Sequence, residues 1–256
     1  MNPPSTTTSP GDRFTLEIAA NSLASALAAQ AGGADRVELC ENLGEGGTTP
    51  SYGTLTLARD RLTIPLYVLI RPRAGDFLYA AQECDTMLRD IQLCVRLGCD
   101  GVVIGALDAD GRIDREVCGE LVAAAGALGV TFHRAFDIAV DQAQALEAII
   151  ALRCERVLTS GARLDAVQGM DTIADHVRQA DGRIGVMAGA GITAGNIAEI
   201  ARRTGARQLH ASAKGVQRSR MRFRNEALHG LSADWMQTQE ASVRALRDAL
   251  SAEQVS

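Results

Sequence analysis

Two glutamates and two histidines stand within or at the ends of short apolar runs in this chain. They are Glu17 in Leu16-Glu17-Ile18, Glu38 in Val37-Glu38-Leu39, His133 after Thr131-Phe132, and His210 in Leu209-His210-Ala211. These are the residue types of general acid–base chemistry, because imidazole titrates near neutrality and apolar surroundings can bring a carboxyl there. Arg71-Pro72-Arg73 offers two guanidinium forks that match carboxylate or phosphate. Gly189-Ala190-Gly191 precedes a helix expected to begin near Thr193, where small residues let backbone N–H groups approach an anion. Ser212 and Lys214 follow His210, and Lys214 is the only lysine of the chain. Glu17, Glu38, His133 and His210 are therefore the candidate catalytic set. Arg71, Arg73, Gly189, Gly191, Ser212 and Lys214 are the candidate substrate- or anion-binding set. Each also has a plainer use: Arg71 could pair with Glu38 or Glu17 in a buried ion network, and a glycine pair could simply form a tight turn.

The elements that must position these groups recur with a regular alternation. Eight short apolar runs are each followed by a helix-like stretch. The runs are Phe14–Ile18, Arg36–Leu39, Leu66–Ile70, Gly101–Ile104, Val130–His133, Arg156–Thr159, Arg183–Met187 and Gln208–His210. Strands alternating with helices indicate βαβ units and a parallel sheet. Eight units in 256 residues fit the α/β class as a single (β/α)8 barrel of the TIM type. Such a barrel carries its chemistry at the C-terminal ends of its strands. Strand parity then turns Glu17 and Ala19 inward on strand one, and Arg36, Glu38 and Cys40 on strand two. It also groups Tyr67, Leu69 and Arg71, then Thr131 and His133, then Gln208, His210 and Ser212. Helix one is expected to start at Asn21 as N-cap. His176 and His229 are expected at the surface, and Trp235 is expected to bury against the barrel wall near the start of the last helix.

Composition narrows the function classes. The expected organisation is a disordered Pro/Ser/Thr-rich tail over 1–12 and one barrel domain over 13–256. No apolar stretch approaches the roughly 20 residues of a membrane span, and the first residues lack the pattern of a signal peptide. A formal charge of −5 argues against nucleic acid as partner. The six cysteines include no CxxC pair, which suits reduced thiols in the cytoplasm rather than structural zinc. Cys40 differs from the rest by lying at a strand end among polar residues. The stretch 215–231, with Arg218, Arg220, Arg222 and Arg224, reads as a solvated loop, a lid or an oligomer contact.

Three stretches in the first third carry a resemblance: Ala34-Asp35-Arg36-Val37-Glu38-Leu39-Cys40, Glu45-Gly46-Gly47-Thr48-Thr49-Pro50-Ser51-Tyr52-Gly53, and Ile70-Arg71-Pro72-Arg73-Ala74-Gly75-Asp76-Phe77-Leu78-Tyr79. With Thr131-Phe132-His133-Arg134-Ala135-Phe136-Asp137, Arg156-Val157-Leu158-Thr159-Ser160-Gly161 and His210-Ala211-Ser212-Ala213, they resemble the CutC family in order, from about Thr15 to Asn225. The resemblance implies a TIM-type barrel and a role in copper homeostasis, with Cu(I) held by cysteine thiolates. It implies two cysteines near the ends of strands one and two. Cys40 matches the second, but Ala19 stands at the first, so one thiolate is missing. A second departure is Met187-Ala188-Gly189-Ala190-Gly191, where the family favours Met-Pro-Gly-Gly-Gly. The residues themselves leave an alternative open: a barrel enzyme of lyase or isomerase type acting on a small anionic or phosphorylated metabolite. A non-catalytic scaffold working as a homo-oligomer is the third reading.

Overall fold

The computed structural model describes residues 13–225, 227 and 232–255. The expected tail over 1–12 and His229 lie outside the described residues. Eight parallel strands close into a barrel in sequence order, and β8 pairs back onto β1. The strands are β1 (Thr15–Ala20), β2 (Arg36–Leu39), β3 (Leu66–Leu69), β4 (Gly101–Ile104), β5 (Gly129–Phe132), β6 (Arg156–Thr159), β7 (Gly185–Gly189) and β8 (Gln208–Ala211). The outer layer is α1 (Leu23–Ala31), α2 (Tyr52–Arg61), α3 (Ala81–Arg96), α4 (Arg115–Ala125), α5 (Gln142–Ala151), α6 (Met170–Ala180), α7 (Ile197–Thr204) and α8 (Glu240–Val255). A hairpin of β9 (Lys214–Gln217) and β10 (Trp235–Thr238) stands between β8 and α8.

Two apolar clusters follow from the strand period of two. Residues such as Leu16, Ile18, Val37, Leu39, Val68 and Val102 face the helices in one continuous outer core. The inner cluster is small: Cys40, Tyr67, Leu69 and Val103. Charged and polar side chains fill much of the rest of the barrel. At the N-terminal end Tyr67 lies between two guanidinium groups, with Arg36 Cζ 5.0 Å and Arg156 Cζ 4.8 Å from its ring centroid. Its hydroxyl donates to Glu155 at 2.9 Å. Gly101 leaves room for that ring, since a Cβ there would fall 2.1 Å from Tyr67 Cε1. Arg156 also donates to Thr131 at 3.0 Å and to Gln208 at 3.0 Å. Stacking of cations on an aromatic face and these hydrogen bonds seal the floor.

Several expectations shift. Strand seven begins two residues later than Arg183, because the chain turns there through Gly182 and the Arg183 N–H bonds the Ala180 carbonyl at 2.8 Å. Ser22 rather than Asn21 caps α1, accepting from the Ser25 N–H at 3.1 Å. His176 is buried on α6, edge-on to the Phe136 ring with centroids 4.9 Å apart, not at the surface. Trp235 belongs to β10 and is half exposed, so it does not bury against the wall. Part of the expected loop after Lys214 is strand β9.

Candidate functional site at the C-terminal mouth

Glu17 links the floor of the barrel to its mouth. Register sets it level with Arg36 on one side and His210 on the other. Arg36 Nε donates to Glu17 Oε2, and His210 Nδ1 donates to Glu17 Oε1 at 2.8 Å. Burial pushes the Glu17 carboxyl up, but Arg36 and His210 outweigh it and hold it at about 2. Glu17 is thus a fixed anion that orients His210.

Glu38 has the opposite fate. Burial drives its carboxyl up, His210 pulls it down, Glu17 pushes it up again, and it settles at about 7. Its Oε2 is buried without a hydrogen-bond partner among the described residues and lies 3.7 Å from His210 Nδ1. Burial lowers His210, but the Glu38 and Glu17 carboxylates more than compensate and raise it. Glu38, held near neutrality, thus stands beside an imidazole whose protonated form is favoured.

His133 follows the end of β5, under Phe77, whose ring centroid is 4.9 Å from its own. Its Nδ1 accepts from the Ala135 N–H at 3.1 Å. Burial and the Arg71 charge hold it down to about 3, which favours the neutral ring near physiological pH.

The two arginines at the end of β3 are committed to the chain itself. Arg71 pairs with neither Glu17 nor Glu38. Its Nη1 donates to the Glu45 and Gly47 carbonyls at 2.9 and 2.7 Å, and its Nη2 to the Gly75 carbonyl at 2.8 Å. Arg73 binds Glu83 at 2.5 Å and Asp76 at 3.0 Å and donates to the Leu78 carbonyl at 2.8 Å. As an anion clamp Arg73 is spent, because its fork folds the loop that leads into α3.

Gly191, His210, Ser212 and Lys214 do come together, in a cleft of about 610 Å³ between the ends of β7 and β8 and helix α8. Thr193, Ser242 and Arg134 complete its polar lining. Gly189 is not part of this lining. It lies within β7, and a Cβ there would fall 2.6 Å from Leu158 and 3.3 Å from His210. Its role is to make room for His210. Arg134 was not among the expected binding residues, because no spacing marks it out, yet it lines this cleft. The structure holds it through Asp137 at 2.7 Å and Ser160 at 2.7 Å. Phe77 and Gly105 were also missed: Gly105 follows β4, and a Cβ on it would lie 2.4 Å from His133 Cε1.

The fold and this mouth define a TIM-type barrel with a cluster of Glu17, Glu38 and His210 inside it and a polar cleft at the ends of β7 and β8. The CutC family model matches residues 14–215. A family protein CutC from Xanthomonas axonopodis pv. citri is 57% identical, over 92% of this chain and 98% of its own. One from Chromobacterium violaceum is 52% identical, over 92% of this chain and 97% of its own. A crystal structure from Streptococcus agalactiae, named as a candidate copper homeostasis protein CutC, superposes with a TM-score of 0.75 at 35% identity, covering 78% of this chain and 98% of that one. This chain belongs to the CutC family.

The copper that the Streptococcus protein's name invokes does not fit the expected residues here. Cu(I) prefers thiolate. Cys40 is fully buried, its Sγ 3.7 Å from the Ala20 carbonyl, and burial with the nearby Glu38 and Glu41 charges raises its thiol well above the usual range. Ala19 lines the same mouth without a sulfur. Cys94, Cys99, Cys118 and Cys154 belong to the outer core, and Cys84 lies on α3. Among the described residues one group could gather donors around a cation: Glu17, Glu38 and His210, with donor atoms within 4.8 Å of one another. It offers oxygen and nitrogen rather than sulfur, and Arg36 already neutralises Glu17.

Proposed function

We propose that this CutC barrel is an acid–base enzyme of lyase or isomerase type that acts on a small anionic metabolite. The observation that carries the proposal is Glu38: a buried carboxyl titrating at about 7, with Oε2 unpartnered, beside His210. A native structure rarely leaves such an atom unsatisfied away from a functional site. In this reading Glu38 takes or gives the proton, and His210 relays it. Glu17, anchored by Arg36, fixes the His210 ring. Lys214, Ser212 and Thr193 in the adjoining cleft bind the anionic group of the metabolite, with Arg134 facing them.

The test is mass spectrometry and metal analysis of one purified preparation, followed by NMR of the recovered metabolite class in D₂O. The expected result is a stoichiometric small anion, substoichiometric copper, and deuterium incorporation that Glu38→Gln abolishes. Exchange unchanged in Glu38→Gln refutes the proposal. Copper homeostasis is the second reading, favoured by family membership. In this chain the expected thiolate pair is reduced to Cys40, whose surroundings oppose the thiolate, while the Cys94 and Cys99 thiols that do touch each other lie in the outer core away from the mouth. All six cysteines are free, which supports a cytoplasmic setting for either reading. No helix of the described residues is long and apolar enough to cross a membrane.

A further inference from the structure

The mouth holds a second set of buried polar atoms without a hydrogen-bond partner among the described residues: Arg71 Nε, His133 Nε2 and the hydroxyl of Tyr79, a phenol that lies close to the Arg71 guanidinium. The other two nitrogens of the Arg71 guanidinium are used on the Glu45, Gly47 and Gly75 carbonyls, and only Nε is left over. The tautomer of His133 follows from its partner. Because Nδ1 accepts the Ala135 N–H, a neutral ring carries its proton on Nε2. Two N–H donors are thus fixed and buried, and neither makes a well-formed hydrogen bond among the described residues. One aromatic ring covers both, since Phe77 has its centroid 5.0 Å from Arg71 Cζ and 4.9 Å from the His133 ring. The bare Cα of Gly105 lets the His133 ring lie over β4.

We propose that Arg71 Nε–H and His133 Nε2–H form an oxyanion-binding pair for a carbonyl or carboxylate oxygen of the substrate. The inference rests on the acid–base reading of the mouth and names its substrate class: a small 2-oxo acid or related carbonyl compound with a second anionic group. The step balances without a co-reactant. The Glu38 carboxylate takes a proton from the carbon next to the carbonyl. The C–H electron pair forms a carbon–carbon double bond, and the carbonyl π pair moves onto oxygen. The enolate oxygen is held by the two N–H donors, and return of the proton to the same carbon, from either face, collapses the enolate to the carbonyl and completes an exchange or an epimerisation. A neutral histidine suits this task, because it donates a hydrogen bond without surrendering a full proton. Preorganised donors in a water-excluded site act most strongly there.

Two substitutions separate the donor from the structural duty of His133. His133→Asn places an amide near the Nδ1 position, keeping an acceptor for Ala135 and losing the Nε2 donor. His133→Gln reaches the Nε2 position with a donor and gives up the Ala135 bond. The probe is oxalate, a planar dicarboxylate shaped like the enolate of a 2-oxo acid, measured by calorimetry with inorganic phosphate as the control for the Lys214 cleft. Oxalate affinity should fall by at least about tenfold in His133→Asn and stay within about threefold of the parent in His133→Gln. Thermal stability should fall more in His133→Gln, and phosphate affinity should stay unchanged in both. Equal oxalate affinity in the parent and His133→Asn overturns the pair, as does no oxalate binding to the parent at millimolar concentration. Oxalate binding that survives in Glu38→Gln, with no deuterium exchange in the parent for any 2-oxo acid, upholds the pair while removing the acid–base reading.

Discussion

Replacing Glu38 by glutamine should make the protein more stable in mild alkali and leave it nearly unchanged in mild acid. The folded state holds the Glu38 carboxyl at about 7 against an ordinary 4.5, chiefly because it is buried. Between those two values the folded chain binds a proton that the unfolded chain has released. Stability therefore falls as pH rises through that window. At about 1.4 kcal/mol for each tenfold change in the proton equilibrium, ionised Glu38 costs the fold about 3 kcal/mol above neutrality. His210 works in the same direction. Its folded value is raised, so its contribution is present in acid and is lost as pH climbs past that value. Glu17, held at about 2, contributes stability that is lost only on acidification below its ordinary 4.5, outside this window. Glutamine copies the protonated carboxyl in shape and cannot ionise. Urea unfolding at a series of pH values from 5 to 8.5 measures the effect, the range being set by these shifts. The advantage of Glu38→Gln should grow from about 1 kcal/mol or less at the acid end to about 3 kcal/mol at the alkaline end. Parallel stability curves for parent and variant would refute the reasoning, because they would mean that Glu38 titrates alike in both states.

Three further outcomes follow from the site. Competition against a Cu(I) chelator should show no tight one-to-one complex in the parent, no change in Cys40→Ala, and stronger binding in Ala19→Cys. A tight complex lost in Cys40→Ala would show that one buried thiol suffices. Inorganic phosphate should raise the Tm of the parent through mass action. The rise should shrink in Lys214→Met and persist in Arg73→Met, whose own Tm falls because the loop entering α3 loses its fork; the reverse pattern restores Arg73 as an anion ligand. Ala190 adopts a left-handed backbone at φ 75°, which an alanine pays for with about 1 kcal/mol. Ala190→Gly should recover that amount in urea unfolding, and a neutral or destabilising result would show that the turn is not strained.

The inward residues were legible because strands have a period of two. One inward residue on each strand predicts the next, and Glu17, Glu38, Tyr67, Thr131 and His210 all obey it. What parity cannot give is which inward group meets which. Arg71 reaches backbone carbonyls in two loops, and a carbonyl carries no sequence signature. The roles of Glu17 and Glu38 diverge because Arg36 contacts one and not the other, a matter of side-chain reach over a 19-residue separation. His176 looked like a surface residue because its neighbours on α6 are polar, yet the face it shares with Ile173 and Ala180 packs inward. Trp235 was placed by its hydrophobicity, while the pairing of β10 with β9 turns it outward. The left-handed turn at Ala190 was legible only as a departure from the family's glycines.

The Tyr67 ring held between Arg36 and Arg156 has a consequence for traffic. A barrel stoppered at one end is a cup, not a tube. Whatever reaches Glu38 must come and go over the same rim, past the loops carrying Phe77 and Lys214. A molecule leaving occupies the doorway that the next one needs, so arrival and departure cannot overlap. Under the proposed function, spent product competes directly with fresh substrate, and the tempo of turnover belongs to the rim as much as to the proton.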